Sequence, residues 1–255
     1  MISYLPNIYP DELAYSWFCR YYVHSGALTH KMALSDILCK RSCNPSKEFL
    51  GNLTPDMQSR IRDILPIKSL IMEHTMFPQY ARFIPLSYKM RALHHLEHDY
   101  CDAHHLFPIS TRNDNDSFLK YCPLCASEDR QLYGETYWHR AHQIRSVQIC
   151  YKHGCYLESS AVTSKSEQTY TLCPAEEYAL IYTPRTPVPS PLHGYTQYLT
   201  EILTSPLLLD SDTPICAILY YAMKKRQYVT FTGRMRCTQQ LHNEEHSMVV
   251  AVSIV

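Results

Sequence analysis

Hydrophobic residues in the first hundred positions recur every three or four residues, which is the spacing of an amphipathic α-helix. The first such segment begins at Pro10 with acidic residues and stops at Gly26, residue types that favour helix starts and ends. Its apolar stripe consists of Leu13, Ala14, Trp17, Phe18, Tyr21 and Tyr22. The pattern predicts one helix across this segment.

Two more short helices are predicted directly after it. One runs from about Thr29 to Lys40, and its stripe consists of Ala33, Leu34, Ile37 and Leu38. The other follows the helix start at Thr54 and Pro55, and its stripe consists of Met57, Ile61, Ile64 and Leu65. Three short helices in succession are compatible with a DNA-reading helix-turn-helix and with a helical packing unit that reads no DNA; the sequence leaves both open.

The later segments divide the chain further. Helical pattern covers Ile67 to His74, breaks at Pro78 and continues from Leu86 to Leu106, where the polar link TRNDNDS follows. After a polar segment beyond Leu157, TPRTPVPSPLHG has four prolines in twelve residues and predicts an extended connection. Helical pattern returns from about 195 and covers 215–225, and the apolar tail HSMVVAVSIV suggests a truncated or altered end.

The composition narrows the classes of function. In 255 residues, 45% are hydrophobic, and Lys plus Arg balance Asp plus Glu at 24 each, so any anion binding must be local. The closest two of six glycines are Gly134 and Gly154, which excludes a G-x-G-x-x-G turn and a P-loop. Eleven cysteines in irregular contexts favour a reducing cytoplasm, and the apolar runs are too short to span a membrane.

The clearest chemical pattern is C-x2-C-x24-C-x2-H, formed by Cys122, Cys125, Cys150 and His153. Two close pairs of thiol and imidazole donors can hold one tetrahedral zinc ion, and four protein ligands make such an ion structural. Cys155 is an alternative fourth ligand, but the spacing of His153 matches the first pair better. Zinc would stabilise a window that is too polar to form its own core, since it contributes about 10–16 kcal/mol in model peptides.

The chain is therefore expected to be mainly α. The predicted order is an N-terminal helix-turn-helix-like helical domain (1–110), a CCCH zinc-finger or zinc-ribbon module (117–160), an extended linker (161–194) and a C-terminal helical segment (195–255).

With the blocks YCPLC, YGETYWHRAHQI and CYKHGCYL in view, the sequence resembles the TniQ family, target-site selectors of bacterial DNA transposons. LPNIYPDELAYSWFCRY and LIMEHTMFPQYARFI agree with that resemblance, which covers about residues 4–160. It implies a non-enzymatic adaptor in the bacterial cytoplasm that marks target DNA and recruits the AAA+ ATPase TnsC. In some systems an RNA-guided CRISPR complex takes the place of direct DNA reading, and a homodimer is a further option.

Two groups of residues are candidates for DNA contact. Beside the predicted zinc site lie Arg140, Gln143 and Arg145, and a basic segment near the end contains Lys224, Lys225, Arg226, Arg234 and Arg236. Arg and Gln donate well to phosphates and bases, and dense positive charge favours counterion release. The alternatives are that Arg140 and Arg145 are structural, like Tyr137 and Trp138, and that the basic segment is a solvated helix end.

Other polar groups are expected to be structural. HHLEHDYCDAHH at 94–105 lacks the H-E-x-x-H pattern and a second pair of ligands, so its histidines are expected to be exposed or capping. Glu73 and His74 are expected to end a helix that packs on a neighbour. Two further functions remain open: a protein-interaction module that docks on TnsC or a CRISPR complex without touching DNA, and, least favoured, a zinc hydrolase.

Overall fold

The fold is known from a computed structural model, which describes residues 2, 4–39, 46–99, 107, 118–163, 170–180, 182, 190–209, 215–226 and 228–229. As predicted, the protein is mainly helical, with one small two-stranded sheet in the described part. The helices are α1 (Ala14–His24), α2 (His30–Ile37), α3 (Pro55–Ile64), α4 (Ile67–His74), α5 (Phe77–Ala81), α6 (Leu86–His94), α7 (Pro123–Tyr133), α8 (Ala175–Tyr178), α9 (Ser190–Thr204) and α10 (Ile215–Lys225).

Helices α1 to α4 confirm the segments predicted from hydrophobic spacing. The hydroxyls of Thr29 and Thr54 each accept a hydrogen bond from a backbone N–H in the first turn, which satisfies a donor left unpaired at the helix start. Pro55 occupies the first turn of α3, where its fixed φ suits the helix. Helix α6 continues as a π-helix from His95 to Asp99, and the rest of the predicted helix to Leu106 lies outside the described residues.

The region predicted as an extended linker contains regular structure. Strand β2 (Glu158–Thr163) pairs antiparallel with β1 (Phe118–Tyr121), and Lys120 lies opposite Ser159. The polar composition of β2 concealed a strand that alternates between buried and exposed positions. Helix α9 begins at Ser190, inside the proline-rich stretch, because proline is tolerated in the first turn of a helix. Helix α10 has the predicted bounds.

One continuous hydrophobic cluster forms the core of the described residues. Trp17 on α1 and Trp138, which follows α7, are both fully buried in it, and Leu199 and Leu203 of α9 also belong to it. The N-terminal helices and the cysteine-rich segment therefore share a core. No helix within the described ranges is both long and apolar enough to cross a lipid bilayer.

Candidate metal centre

The first pair of candidate ligands is held by the start of helix α7. Cys122 is the residue before the helix, and its Sγ accepts a hydrogen bond from the backbone N–H of Cys125 at 3.5 Å. Pro123 occupies the first turn, where it costs no backbone hydrogen bond. Both sulfurs thereby face the same side of the first turn, and β1 anchors the chain immediately before them.

The second pair is held by a tight turn from Cys150 to Cys155. The N–H of Gly154 donates to the carbonyl of Cys150 at 2.9 Å, and the N–H of Cys150 donates to the carbonyl of Cys155 at 2.8 Å. Gly154 has a φ of +64°, in the left-handed region that glycine adopts without strain. This turn brings His153 back toward Cys150.

The four predicted ligands converge, with their ligand atoms all within 4.8 Å of one another. The Nδ1 atom of His153 lies 3.5 Å from Cys122 Sγ, 3.3 Å from Cys125 Sγ and 3.6 Å from Cys150 Sγ. Cys125 Sγ and Cys150 Sγ are 3.6 Å apart. Zn–S bonds of about 2.3 Å and Zn–N bonds of about 2.0 Å place tetrahedral ligands about 3.5–3.8 Å apart, so the donor set can hold one such ion.

A carboxylate orients the histidine of this cluster. His153 Nε2 lies 2.9 Å from Glu128 Oε1, while Lys152 Nζ donates to Glu128 Oε2 at 2.6 Å. A histidine that ligates a metal through one ring nitrogen usually donates its other N–H to such a group, which fixes the tautomer. The sequence prediction missed Glu128, although a carboxylate one helical turn after Cys125 shares its face of α7 and signalled the contact.

Two further donors surround the four. Cys155 Sγ lies 3.4 Å from Cys122 Sγ, and His142 Nε2 lies 3.8 Å from Cys125 Sγ and 3.7 Å from Cys150 Sγ. Three side chains are candidates for the fourth ligand: His153, Cys155 and His142. Of these, His153 alone lies 3.3 to 3.6 Å from the sulfurs of all three other ligands, which favours it over Cys155. Burial lowers the pKa of His142 well below its usual value, so the ring is neutral at pH 7.

Helix α7 does not continue through the aromatic block that follows it. It ends at Tyr133 and is capped by Gly134, whose φ is +83°, and further along the chain His139 forms an isolated antiparallel bridge with Glu12. Residues 136–140 therefore lie outside α7. Glycine in the left-handed conformation is the common way to end a helix.

Residues 138 and 140 are joined to the N-terminal segment by backbone hydrogen bonds. The N–H of Leu13 donates to the carbonyl of Trp138 at 2.9 Å, and the N–H of Arg140 donates to the carbonyl of Asp11 at 2.7 Å. The indole N–H of Trp138 donates to the carbonyl of Cys173. Trp138 is therefore part of the core, as the sequence analysis expected.

A buried ionic network crosses the same junction. The guanidinium of Arg20 on α1 contacts Glu12 Oε2 and Glu135 Oε1, both at 2.8 Å, and stacks on the ring of Tyr9. Glu12 is fully buried, and burial raises its pKa to about 7 although Arg20 opposes this shift. The network fixes helix α1 against the segment that follows α7.

Two of the residues predicted to contact DNA, Arg140 and Gln143, make contacts inside the protein. Arg140 is 4% exposed, and its Nη1 donates to the carbonyl of Met72 at 2.7 Å while its Nε lies 3.5 Å from Asp11 Oδ1. The side-chain amide of Gln143 accepts from the N–H of Lys120 and donates to its carbonyl. These contacts engage Arg140 Nη1 and the side-chain amide of Gln143 within the protein, and the DNA-contact role of both residues stays a prediction.

The other candidates divide between exposed and undescribed positions. Arg145 is about one-third exposed, and its guanidinium contacts Tyr80 and lies 3.9 Å from Glu48. Lys224 and Lys225 are exposed at the end of α10, and Arg226 is exposed directly after it. Arg234 and Arg236 lie outside the described residues.

The remaining polar groups have the following positions. His94 and His98 stack at 4.4 Å on the exposed side of α6 and the π-helix, and the cysteine cluster is the metal-type group found within the described residues. His74 is buried, and its Nδ1 lies 2.7 Å from the carbonyl of Glu12. Burial lowers the pKa of His74. Its position at the packed end of α4 agrees with a structural role.

Comparison with known proteins assigns this chain to a family. The TniQ family model matches residues 3–157, which include α1 to α7 and all four candidate ligands. The chain belongs to the TniQ family. Residues of this TniQ chain are also 29% identical, over 154 positions, to the transposon Tn7 transposition protein TnsD of Escherichia coli. That match covers 58% of this chain and 30% of the relative, so the chain spans less than a third of the length of TnsD.

Proposed function

We propose that this chain is a target-selection adaptor of DNA transposition, which engages a target site in the bacterial cytoplasm and recruits the AAA+ ATPase TnsC. The observation that carries the proposal is the TniQ match across residues 3–157, with a relative that is itself a transposition protein. In this proposal the chain acts by binding other macromolecules and performs no catalysis.

Under this proposal, Cys122, Cys125, Cys150 and His153 hold one structural zinc ion. Three buried sulfurs and one imidazole nitrogen, all within 4.8 Å of one another, support zinc over hard cations, which prefer oxygen ligands. When bound, the ion cross-links the start of α7 to the 150–155 turn. Four protein ligands leave no position for a reactive water, which disfavours the hydrolase interpretation.

In this proposal, direct DNA contact falls to cations that are exposed or, in the case of Arg145, partly exposed. The described residues that support it are Arg145, Lys224, Lys225 and Arg226, and Arg234 and Arg236 complete the basic segment in the sequence. With a net formal charge of zero, the chain has no general positive field, so binding would depend on this local density.

A second candidate function is a protein-interaction module that docks on TnsC or an RNA-guided CRISPR complex without touching DNA. The burial of Arg140 and the internal hydrogen bonds of Gln143 favour it, because they remove two of the predicted donors from the surface. A homodimer is compatible with either function.

The experiment combines the purified chain with a purified TnsC protein and with duplex DNA at increasing salt. The adaptor proposal expects TnsC to be retained by the immobilised chain, and DNA binding that weakens steeply with salt and with Ala at 224, 225 and 226. Retention of TnsC with no DNA binding at any salt supports the interaction module instead. Failure to retain TnsC in the presence and absence of DNA contradicts both.

A further inference from the structure

His142 lies against the cysteine cluster without occupying a corner of it. Its side chain is 1% exposed, and its Nε2 faces both Cys125 Sγ and Cys150 Sγ at 3.8 and 3.7 Å. Its other ring nitrogen, Nδ1, is buried and has no hydrogen-bond partner. Since His153 faces all three sulfurs of the predicted set, the fourth corner is already taken.

The surroundings of the ring determine where its proton lies. A neutral imidazole has one N–H donor and one lone pair. A proton on Nδ1 would bury a donor without an acceptor and point the lone pair of Nε2 at two electron-rich sulfurs. A proton on Nε2 places the donor between those sulfurs and leaves only a lone pair unpartnered, which is the less costly arrangement.

The charge of the cluster gives this donor a role. Three thiolates around one divalent cation carry a net charge of −1, in a site whose sulfurs are nearly inaccessible to water. A buried negative charge requires hydrogen-bond donors. Cys122 Sγ receives the backbone N–H of Cys125, and His142 is positioned to serve Cys125 and Cys150.

We propose that His142 is a positioning residue of the metal centre, whose Nε2–H is shared by the thiolates of Cys125 and Cys150 and raises the affinity of the site for zinc. The inference rests on the zinc site proposed above and adds a residue that is not a ligand. It assigns to His142, the second histidine of the block YGETYWHRAHQI, a contact with the cluster.

The test compares His142→Leu, His142→Gln and the control His74→Leu, which removes a buried imidazole that contacts the carbonyl of Glu12. Zinc affinity is measured by competition with a chromophoric chelator, and the coordination by the cobalt spectrum. Loss of a residue that orients metal ligands typically lowers affinity about 10–100-fold, and we expect that loss in His142→Leu with one bound ion and a tetrahedral spectrum. His142→Gln retains an N–H donor and should recover most of the affinity, while His74→Leu should bind zinc as the wild type does.

Three results would overturn the positioning role: wild-type affinity in His142→Leu, no recovery in His142→Gln, or a changed coordination number that makes His142 a ligand. A wild-type protein without stoichiometric zinc would instead reject the metal site itself. Should His142→Leu fail to fold, nitrogen-15 spectra of histidine-labelled, zinc-loaded wild type decide the matter. They must show the Nε2–H tautomer for His142, and the Nδ1–H tautomer contradicts the proposal.

Discussion

The helical core and the cysteine cluster of this protein are stabilised in different ways. The core buries large apolar side chains, among them Trp17, Phe77 and Leu70, and each such burial contributes about 1.5–3 kcal/mol. The three cysteines of the cluster and the neighbouring Cys155 are buried, but among the described residues Leu124 and Leu157 are the only other hydrophobic side chains packed against them. The stability of the first region therefore depends on apolar area, and that of the second is expected to depend on its metal.

The two regions are not separate, because the segment after α7 pairs with residues 9–13 and contributes Trp138 to the common core. A substitution that destabilises one region is therefore expected to affect the stability of the other through these few contacts. The predictions below test how far the two mechanisms can be separated, from the largest effect to the smallest.

The largest effect is expected from Cys150→Ser, which removes a fully buried ligand of the proposed zinc site. Structural zinc contributes about 10–16 kcal/mol in model peptides, so this variant should lose stoichiometric zinc and most of its thermal stability. Elemental analysis and limited proteolysis provide the measurement, with the first cleavage expected within 118–163. Cys39→Ser, at an exposed cysteine, is the control. A Cys150→Ser protein with one zinc and an unchanged Tm would contradict the zinc site.

The converse change is Trp17→Ala in the core. Trp17 is fully buried and its Nε1 donates to the carbonyl of Pro6 at 2.6 Å. The cavity and the lost hydrogen bond should lower the free energy of unfolding by about 3–5 kcal/mol, as measured in urea, while the folded variant keeps one zinc. Leu28→Ala, at an 86% exposed side chain, should change stability by less than about 0.5 kcal/mol. Loss of zinc from folded Trp17→Ala would show that the two regions cannot be separated.

The junction is tested by Arg20→Met, which leaves the buried carboxyl of Glu12 without its cation. Removing one partner of a buried pair typically costs about 3–5 kcal/mol, since the other charge stays desolvated. The double variant Glu12→Gln with Arg20→Met should recover part of that loss in urea unfolding. If the double variant is less stable than Arg20→Met alone, the uncompensated charge is not the cause.

The smallest effect is a pH dependence caused by His74. Because burial lowers its pKa in the folded protein below 6.5, the unfolded chain takes up the proton first as the pH falls. The stability that His74 contributes is thus complete above pH 6.5 and decreases below it. We expect the difference in unfolding free energy between the wild type and His74→Gln to fall as the pH is lowered from 7 to 5. A difference that is constant across this range would show that His74 does not titrate differently on folding.

The sequence predicted those features that depend on neighbours along the chain. Helix starts at Thr29 and Thr54 need only a hydroxyl and a nearby N–H, and each pair of candidate ligands is spaced by one turn. The burial of Arg140 could not be predicted, because its partners Asp11 and Met72 are remote in sequence. Strand β2 was missed because its sequence, ESSAVT, is mostly polar and one of its two buried positions is Ser160.

The bridge between Glu12 and His139 has a consequence for synthesis on the ribosome. At about 5–20 residues per second, residue 139 is made roughly 6–25 s after residue 12, and the N-terminal segment lacks its pairing partner during that interval. While the chain grows, the backbone N–H of Leu13 cannot yet donate to the carbonyl of Trp138. The segment that leads into helix α1 therefore completes its pairing late in synthesis, although its residues are among the first to be translated.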